Sequence, residues 1–480
     1  MKKNILIALL AISLASCSKE YLDKDQESTF SDSKMEQLKT TPELALKLYT
    51  AIEGGNYSYM VDFQSGGVTN HRDFGIKGFD IGLDLMSGDM AEVLSTNMWN
   101  PYETYRGRLE NGDISYALWY FHTRVANAMN TVIIGSTGSN DEKLIQIEAR
   151  ARAIRAYVNF TLIRLFANGE EGIPYADKDV FYNGRQSTSD VLKFIETDLL
   201  YAFENLNGYV RPTKNYVNAN VVAGFLSRFY LYKEDYSNAL KYSDLAFTNA
   251  NAVSFSTINN GFDLIDNPDW LWGFDIDGST STSFASFFSW MDNVNTEGYG
   301  GPNKGLLAVD AGLYSKIDAG DLRKKWFVSK DNNPHGLRNY VNMKFIDRSG
   351  SMLGDYSYMR ETEIYFNKAE ALYHLGDTKG ALDILKKIMI TRNPNYAFSN
   401  TDKSLLEEIK LQKRIEFWGE GLAFYDAKRW KRDILRSYEG SNHLSATYFN
   451  IPAGSNLLIF QFPIQEMRAN KDLTKQNPAQ

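Results

Sequence analysis

Residues 404–430 read SLLEEIKLQKRIEFWGEGLAFYDAKRW, a span that combines helix signals, large aromatics and a high density of carboxylates. Ser404 with Glu407 three positions on forms a capping box, in which the hydroxyl accepts from a backbone N–H that the first turn would leave unpaired. Leu405, Leu406, Ile409, Ile415 and Phe417 follow one helical face, so a first helix ends near Gly419 or Gly421. Leu422 to Trp430 opens a second, shorter helix, and the two meet at Gly419-Glu420-Gly421. Glu416, Glu420 and Asp426 therefore crowd into one corner. As a surface glycosidase site they would need two carboxyls about 5 to 10 Å apart, one of them held protonated. Arg414, Lys428 and Arg429 are interleaved with them, and opposite charges nearby keep carboxylates ionised. The stretch reads as an ion-paired scaffold.

The start of the chain bounds its location. Lys2 and Lys3, the apolar run Ile5 to Leu14 and the small residues Ala15-Ser16-Cys17 have the three parts of a secretory signal. The apolar run is too short to span a bilayer. Leu14-Ala15-Ser16-Cys17 looks like a lipobox, in which Cys17 takes a diacylglycerol and becomes the mature N-terminus. Acyl chains at about 0.8 kcal/mol per buried methylene then hold a tethered protein rather than a spanning one. Cys17 is the only cysteine, so the mature domain has no disulfide, thiolate metal site or cysteine nucleophile. Loss of Lys2 and Lys3 takes the formal charge from -7 to -9, which argues against nucleic acid as a partner.

From these signals residues 1–16 are a lipoprotein signal peptide, 17–33 a polar lipidated tether, and 34–480 one domain. Helices are expected over 42–53, 114–134, 142–166 and 187–206, the last opened by Ser187 with Asp190. Residues 220–249 and 361–391 form two helical hairpins, each with a small residue after the turn, Ala239 and Ala381, as in tetratricopeptide units. Residues 54–101 and 252–354 are rich in Gly, Asn, Ser and Asp and form a loop-rich lobe, with a short strand at Trp270-Leu271-Trp272-Gly273-Phe274. The class is all-α dominated, a scaffold of helical hairpins with a loop lobe containing short strands.

Several separated stretches together resemble one family, the SusD/RagB-like outer-membrane lipoproteins of Bacteroidota. They are the lipobox and acidic tether, Trp119-Tyr120 with Asn127, Arg155-Ala156-Tyr157 running to Ile173-Pro174, and Arg228 with Tyr230-Leu231. Asp321 with Arg323, Lys344-Phe345, Arg360 with Glu363, and Ala369-Glu370-Ala371 continue the series. Glu420-Gly421 with Asp426 and Arg429-Trp430, then Pro463, Asn470 and Gln476-Asn477-Pro478, complete it. Ala423 and Lys413 depart from the pattern, standing where an arginine and a glutamate are usual. The resemblance implies four tetratricopeptide-like units and a lipid-anchored protein at the outer-membrane cell surface. It also implies a partner, a SusC-like TonB-dependent transporter, to which the protein delivers captured oligosaccharide, or in some members peptide.

No catalytic or metal constellation competes with that reading. Histidines 71, 122, 335, 374 and 443 show no ligand spacing, and Asp275-x-Asp277-Gly278 lacks the later ligands of a calcium loop. Gly298-Tyr299-Gly300-Gly301 lacks the lysine of a phosphate loop and reads as a flexible loop. No cofactor is expected. Among the tryptophans, 119, 418 and 430 fall on apolar helix faces and 270, 272 and 326 beside core motifs, so these read as core. Trp99 and Trp290 sit in polar, loop-like sequence. Flat rings beside amides and carboxylates suit sugar hydroxyls, which makes Trp99, Asn100, Tyr102, Trp290, Asp292, Asn293 and Tyr299 the candidate ligand-binding residues.

Overall fold

The computed structural model describes residues 41–95, 97–177, 184–248, 260–279, 284–301, 306–398 and 404–479. The expected signal peptide, Cys17 and the expected tether lie outside the described residues. The chain divides into two units, Met1–Tyr49 and Thr50–Gln480. Of the first, the described part, 41–49, carries the opening turns of α1 (Pro42–Tyr59).

Helices dominate the second unit, as the sequence leads one to expect. After α1 come α2 (Ile76–Ser87), β1 (Met90–Glu92) and the single turn α3 (Asn100–Glu103). The long α4 (Asp113–Ser136) and α5 (Glu142–Phe166) follow, then α6 (Thr188–Asn205) and the hairpin α7 (Ala219–Tyr232) and α8 (Tyr236–Ala246). β2 (Trp270–Phe274), α9 (Phe287–Met291), β3 (Leu307–Val309), α10 (Ala311–Ser315) and β4 (Tyr356–Arg360) occupy the middle. The second hairpin is α11 (Glu361–His374) and α12 (Thr378–Arg392); α13 (Leu405–Glu416), α14 (Ala423–Arg429) and α15 (Ile464–Ala469) end the chain.

Local chemistry sets the helix starts. Ser187 Oγ accepts from Asp190 N at 3.0 Å, Asp235 from Asn238 N at 3.1 Å and Asp377 from Gly380 N at 2.8 Å. Ser404 Oγ accepts from Glu407 N at 3.2 Å, but the Glu407 carboxylate turns to Lys410 (2.9 Å), so only half of the capping box forms. Within the hairpins Ala239 and Ala381 are fully buried, and Ser227 and Ser243 meet between α7 and α8 at 2.9 Å. The C-terminal residues seal α4 against α5. Phe462 packs edge-on to Trp119 at 5.0 Å, and Asn477 Nδ2 donates to Phe166 O (2.6 Å) and Phe460 O (2.7 Å).

The 54–101 region departs from the loop reading. α1 runs on to Tyr59, and Ile76–Ser87 is a helix buried on nearly every side. A helix with no solvent face shows no polar stripe, so periodicity cannot reveal it. Its charges are dealt with internally, Lys77 pairing with Asp80 at 3.1 Å.

Among the described residues the strands form two two-stranded antiparallel sheets. β1 pairs with β3 (Met90↔Val309), and β2, the strand expected at 270–274, pairs with β4 through an irregular register running from Trp270↔Arg360 to Phe274↔Tyr356. β4 ends on Arg360, immediately before α11, which delivers that guanidinium to the corner between α13 and α14.

Candidate ligand-binding site

Gly419 and Gly421 turn the α13–α14 corner, both at φ 79°, where a Cβ would come within 2.5 Å of Phe345 and 2.2 Å of Asp80. The corner holds Glu416 with no exposed surface among three guanidiniums: Arg392 at 2.8 Å, Arg360 at 3.1 Å and Arg323 at 3.2 Å. Burial works against its ionisation, but Arg392, Arg360 and Arg323 outweigh that and hold the carboxyl well below the usual range. Glu420 pairs with Arg360 (2.8 Å) and Lys344 (2.6 Å), which likewise overcome its burial. Asp426 pairs with Lys413 at 3.0 Å and Arg429 at 2.8 Å. Lys413, where the family pattern has an acid, thus joins the network. All three carboxyls are held ionised, the opposite of a general acid at neutral pH.

The loop region presents different chemistry. Trp99, at the start of α3, meets Trp290 of α9 edge-on at 5.2 Å, and Tyr299 stacks flat on Trp290 at 4.1 Å. The indole N–H of Trp290 donates to His71 O (2.9 Å), and Tyr299 Oη meets His71 Nδ1 at 2.8 Å. Phe63 stands edge-on to His71 at 5.4 Å, and Phe284, 52% exposed, approaches Tyr299 at 6.5 Å. Residues 298–301 are not a slack loop. A Cβ on Gly298 would sit 2.6 Å from Ser289 Cα, and one on Gly300 2.5 Å from Trp290 O, so glycine is what lets Tyr299 reach the ring.

The loop carrying His71 is anchored by Asp73, whose carboxylate accepts from Gly66 N (2.8 Å) and Val68 N (3.2 Å). Burial raises that carboxyl to about 6. Gly67, at φ 76°, lies against the stacked pair Tyr116 and Tyr120 of α4, whose centroids are 5.5 Å apart. The Arg124 guanidinium covers Tyr59 at 4.7 Å. Partly exposed aromatics therefore flank this loop on both sides.

Of the seven residues singled out in the sequence, four converge: Trp99, Tyr102, Trp290 and Tyr299 form one aromatic cluster. Their exposure differs. Trp99 and Trp290 have none, and Tyr102 is buried under Arg72, 5.8 Å from its ring. Asp292 is buried and spends its carboxylate on the backbone N–H groups of Val294 (2.7 Å), Asn295 (2.9 Å) and Asp347 (2.7 Å). Asn293, also buried, donates to Asn342 O at 2.8 Å. Asn100 and Tyr299 are partly exposed. Sequence reading missed His71, Phe63 and Phe284, which lack any local pattern, and the Tyr116–Tyr120 pair, whose spacing of four on a helix is a usable signal. Trp430 is a correction: it is only partly buried, its N–H on Glu370 at 3.1 Å, because charged residues on both helices leave one edge open.

Residues 319–479 match the model of the SusD family. Among the solved structures that share the fold are a SusD-like carbohydrate binding protein from Bacteroides vulgatus (23% identity, TM-score 0.75, covering 91% of this chain and 98% of that one), a SusD superfamily protein from Bacteroides thetaiotaomicron (20%, 0.72, 90% and 99%), and one from Bacteroides fragilis (16%, 0.71, 91% and 99%). No curated protein matches the chain in sequence. The last third of the chain thus matches the SusD family model, and the fold is one shared with SusD superfamily structures. Among the described residues no helix is long and apolar enough to cross a membrane.

Proposed function

We propose that this protein is an outer-membrane, cell-surface lipoprotein, anchored through Cys17, that captures oligosaccharides and delivers them to a SusC-like TonB-dependent transporter without chemical turnover. The observation that carries the reading is the SusD/RagB-like scaffold bearing Tyr299 flat on Trp290 beside a partly exposed His71. In this reading Asn100 and Tyr299 touch the ligand, with His71, Phe63 and Phe284 around them. Trp99, Tyr102, Trp290, Asp292 and Asn293 hold that surface rigid from below. The ion-paired state of Glu416, Glu420 and Asp426 supports binding over hydrolysis.

Affinity electrophoresis and calorimetry against a panel of polysaccharides test it, with binding to at least one glycan expected. Silence across the panel together with binding of oligopeptides would instead make it a peptide-capturing member of the same uptake system. Release of reducing sugar by pure protein would overturn the non-enzymatic part.

A further inference from the structure

Away from the loop lobe, a cleft of about 220 Å³ opens between α5, α7, α14 and residues 454–459. Arg164, Lys428, Tyr232 and Tyr425 supply its polar wall together with Arg429, whose charge is already met by Glu370 and Asp426, and Ile163, Leu458 and Ile459 supply its apolar one. Among the described residues no Asp or Glu lines it. We propose that this cleft binds a small organic carboxylate of about one sugar residue's size.

Several arginines of the scaffold are matched to acids, among them Arg150 with Glu53, Arg155 with Asp198 and Arg228 with Glu363, while the buried Arg108 and Arg436 spend their guanidiniums on backbone carbonyls. Arg164 is different. Its guanidinium lies over Tyr425 (3.7 Å) and Phe160 (4.2 Å), its Nε donates to Phe160 O (3.1 Å), and among the described residues it forms no ion pair. Lys428 Nζ donates to Arg164 O in the last turn of α5, a helix C-terminus that welcomes a cation. That uses one of its three donors, and it too forms no ion pair among the described residues. Burial pushes the Lys428 amine down to about 7, and nothing acidic opposes it.

Two partly buried cations and two phenol groups facing an acid-free cleft therefore form a set of donors without a matching charge. A carboxylate would supply that charge, and the apolar wall would take the carbon skeleton. The cleft is smaller than the roughly 300 Å³ at which drug-sized pockets begin, so the ligand is a single small residue. This inference is independent of the glycan reading of the loop lobe.

Calorimetry on the full-length mature protein with glucuronate and benzoate, against glucose and benzyl alcohol as neutral counterparts and sulfate as an inorganic anion, tests it. We expect one or both carboxylates to bind and the neutral compounds to fail. Lys428→Met should weaken that binding at least about tenfold, the loss of one charge-assisted hydrogen bond. Ala167→Phe, which fills the cleft mouth and keeps both cations, should abolish it with the melting temperature unchanged, so the test survives if Lys428→Met does not fold. No carboxylate binding, equal binding of the neutral compounds, sulfate binding as tightly as the carboxylates, or undiminished binding by Ala167→Phe would each overturn the proposal.

Discussion

Tyr299 lies flat against Trp290, the ring planes 8° apart and the centroids at 4.1 Å, and of the two only Tyr299 shows surface to solvent. The pair therefore divides into a contact ring and a supporting ring. Tyr299→Ala should weaken glycan binding by about 0.5–1.5 kcal/mol, the worth of one stacking contact, with little change in melting temperature. Trp290→Ala should instead cost about 3–5 kcal/mol of stability, as truncation of a fully buried aromatic does. Calorimetry and urea melts on both variants check this, and the reverse pattern would remove Tyr299 from the site.

The glycines beside Tyr299 make a second prediction. Because a Cβ on Gly300 would lie 2.5 Å from a backbone oxygen, Gly300→Ala must push residues 298–301 away from α9. Overpacking of this kind costs about 1–3 kcal/mol. The stacked ring moves with the loop, so tyrosine fluorescence and glycan affinity should change together, whereas Gly278→Ala, where a Cβ meets nothing within 4 Å, should alter neither.

Glu416→Gln removes the charge that Arg392, Arg360 and Arg323 share. Leaving buried guanidiniums under-compensated should destabilise the protein by about 3–5 kcal/mol in urea unfolding. Any effect on ligand binding should follow the unfolded fraction only, since none of these groups is in the aromatic cluster.

Two buried carboxyls give a pH dependence of known sign. Burial raises Asp84 to about 8. Burial first, and then the charge of Glu92, raises Glu103 to about 8. In the unfolded chain both lose their protons near pH 4, so between about pH 4 and 8 the native state binds more protons. Their contribution to stability is therefore intact in acid and lost as the pH rises through that window. Asp84→Asn and Glu103→Gln, which keep the neutral shape, should match the parent near pH 4 and exceed it by on the order of 1 kcal/mol or more at pH 9. A pH-independent difference in urea melts at pH 4.5, 7 and 9 would mean that neither carboxyl is protonated in the native state.

What could be read before folding was whatever the chain specifies locally. Ser404, Ser187, Asp377 and Ala381 each act within a turn or one hairpin, and their helices appear where caps and periodicity place them. The α13–α14 ion pairs were legible as a type, because acids and bases alternate there, but not as particular partners. Arg323 and Arg360 come from distant segments. α2 was hidden because a wholly buried helix has no polar face. The site was half legible. Composition selected Trp99 and Trp290, and they do meet, yet burial depends on what packs over a ring, and the residues doing so, His71 and Tyr299, lie in two different loop segments, 228 residues apart.

β2 and β4 lie side by side and antiparallel, with Phe274 opposite Tyr356, so residues 275–355 leave and re-enter the helical framework at one place. Closing a long excursion at a point already fixed by pairing carries an entropic penalty that grows only logarithmically with its length. The parts of the excursion that do not carry Arg323 or Lys344 are thus exchangeable. A relative could lengthen, shorten or replace them, and with them the ligand they recognise, while Arg323, Lys344 and Arg360 still arrive at Glu416 and Glu420.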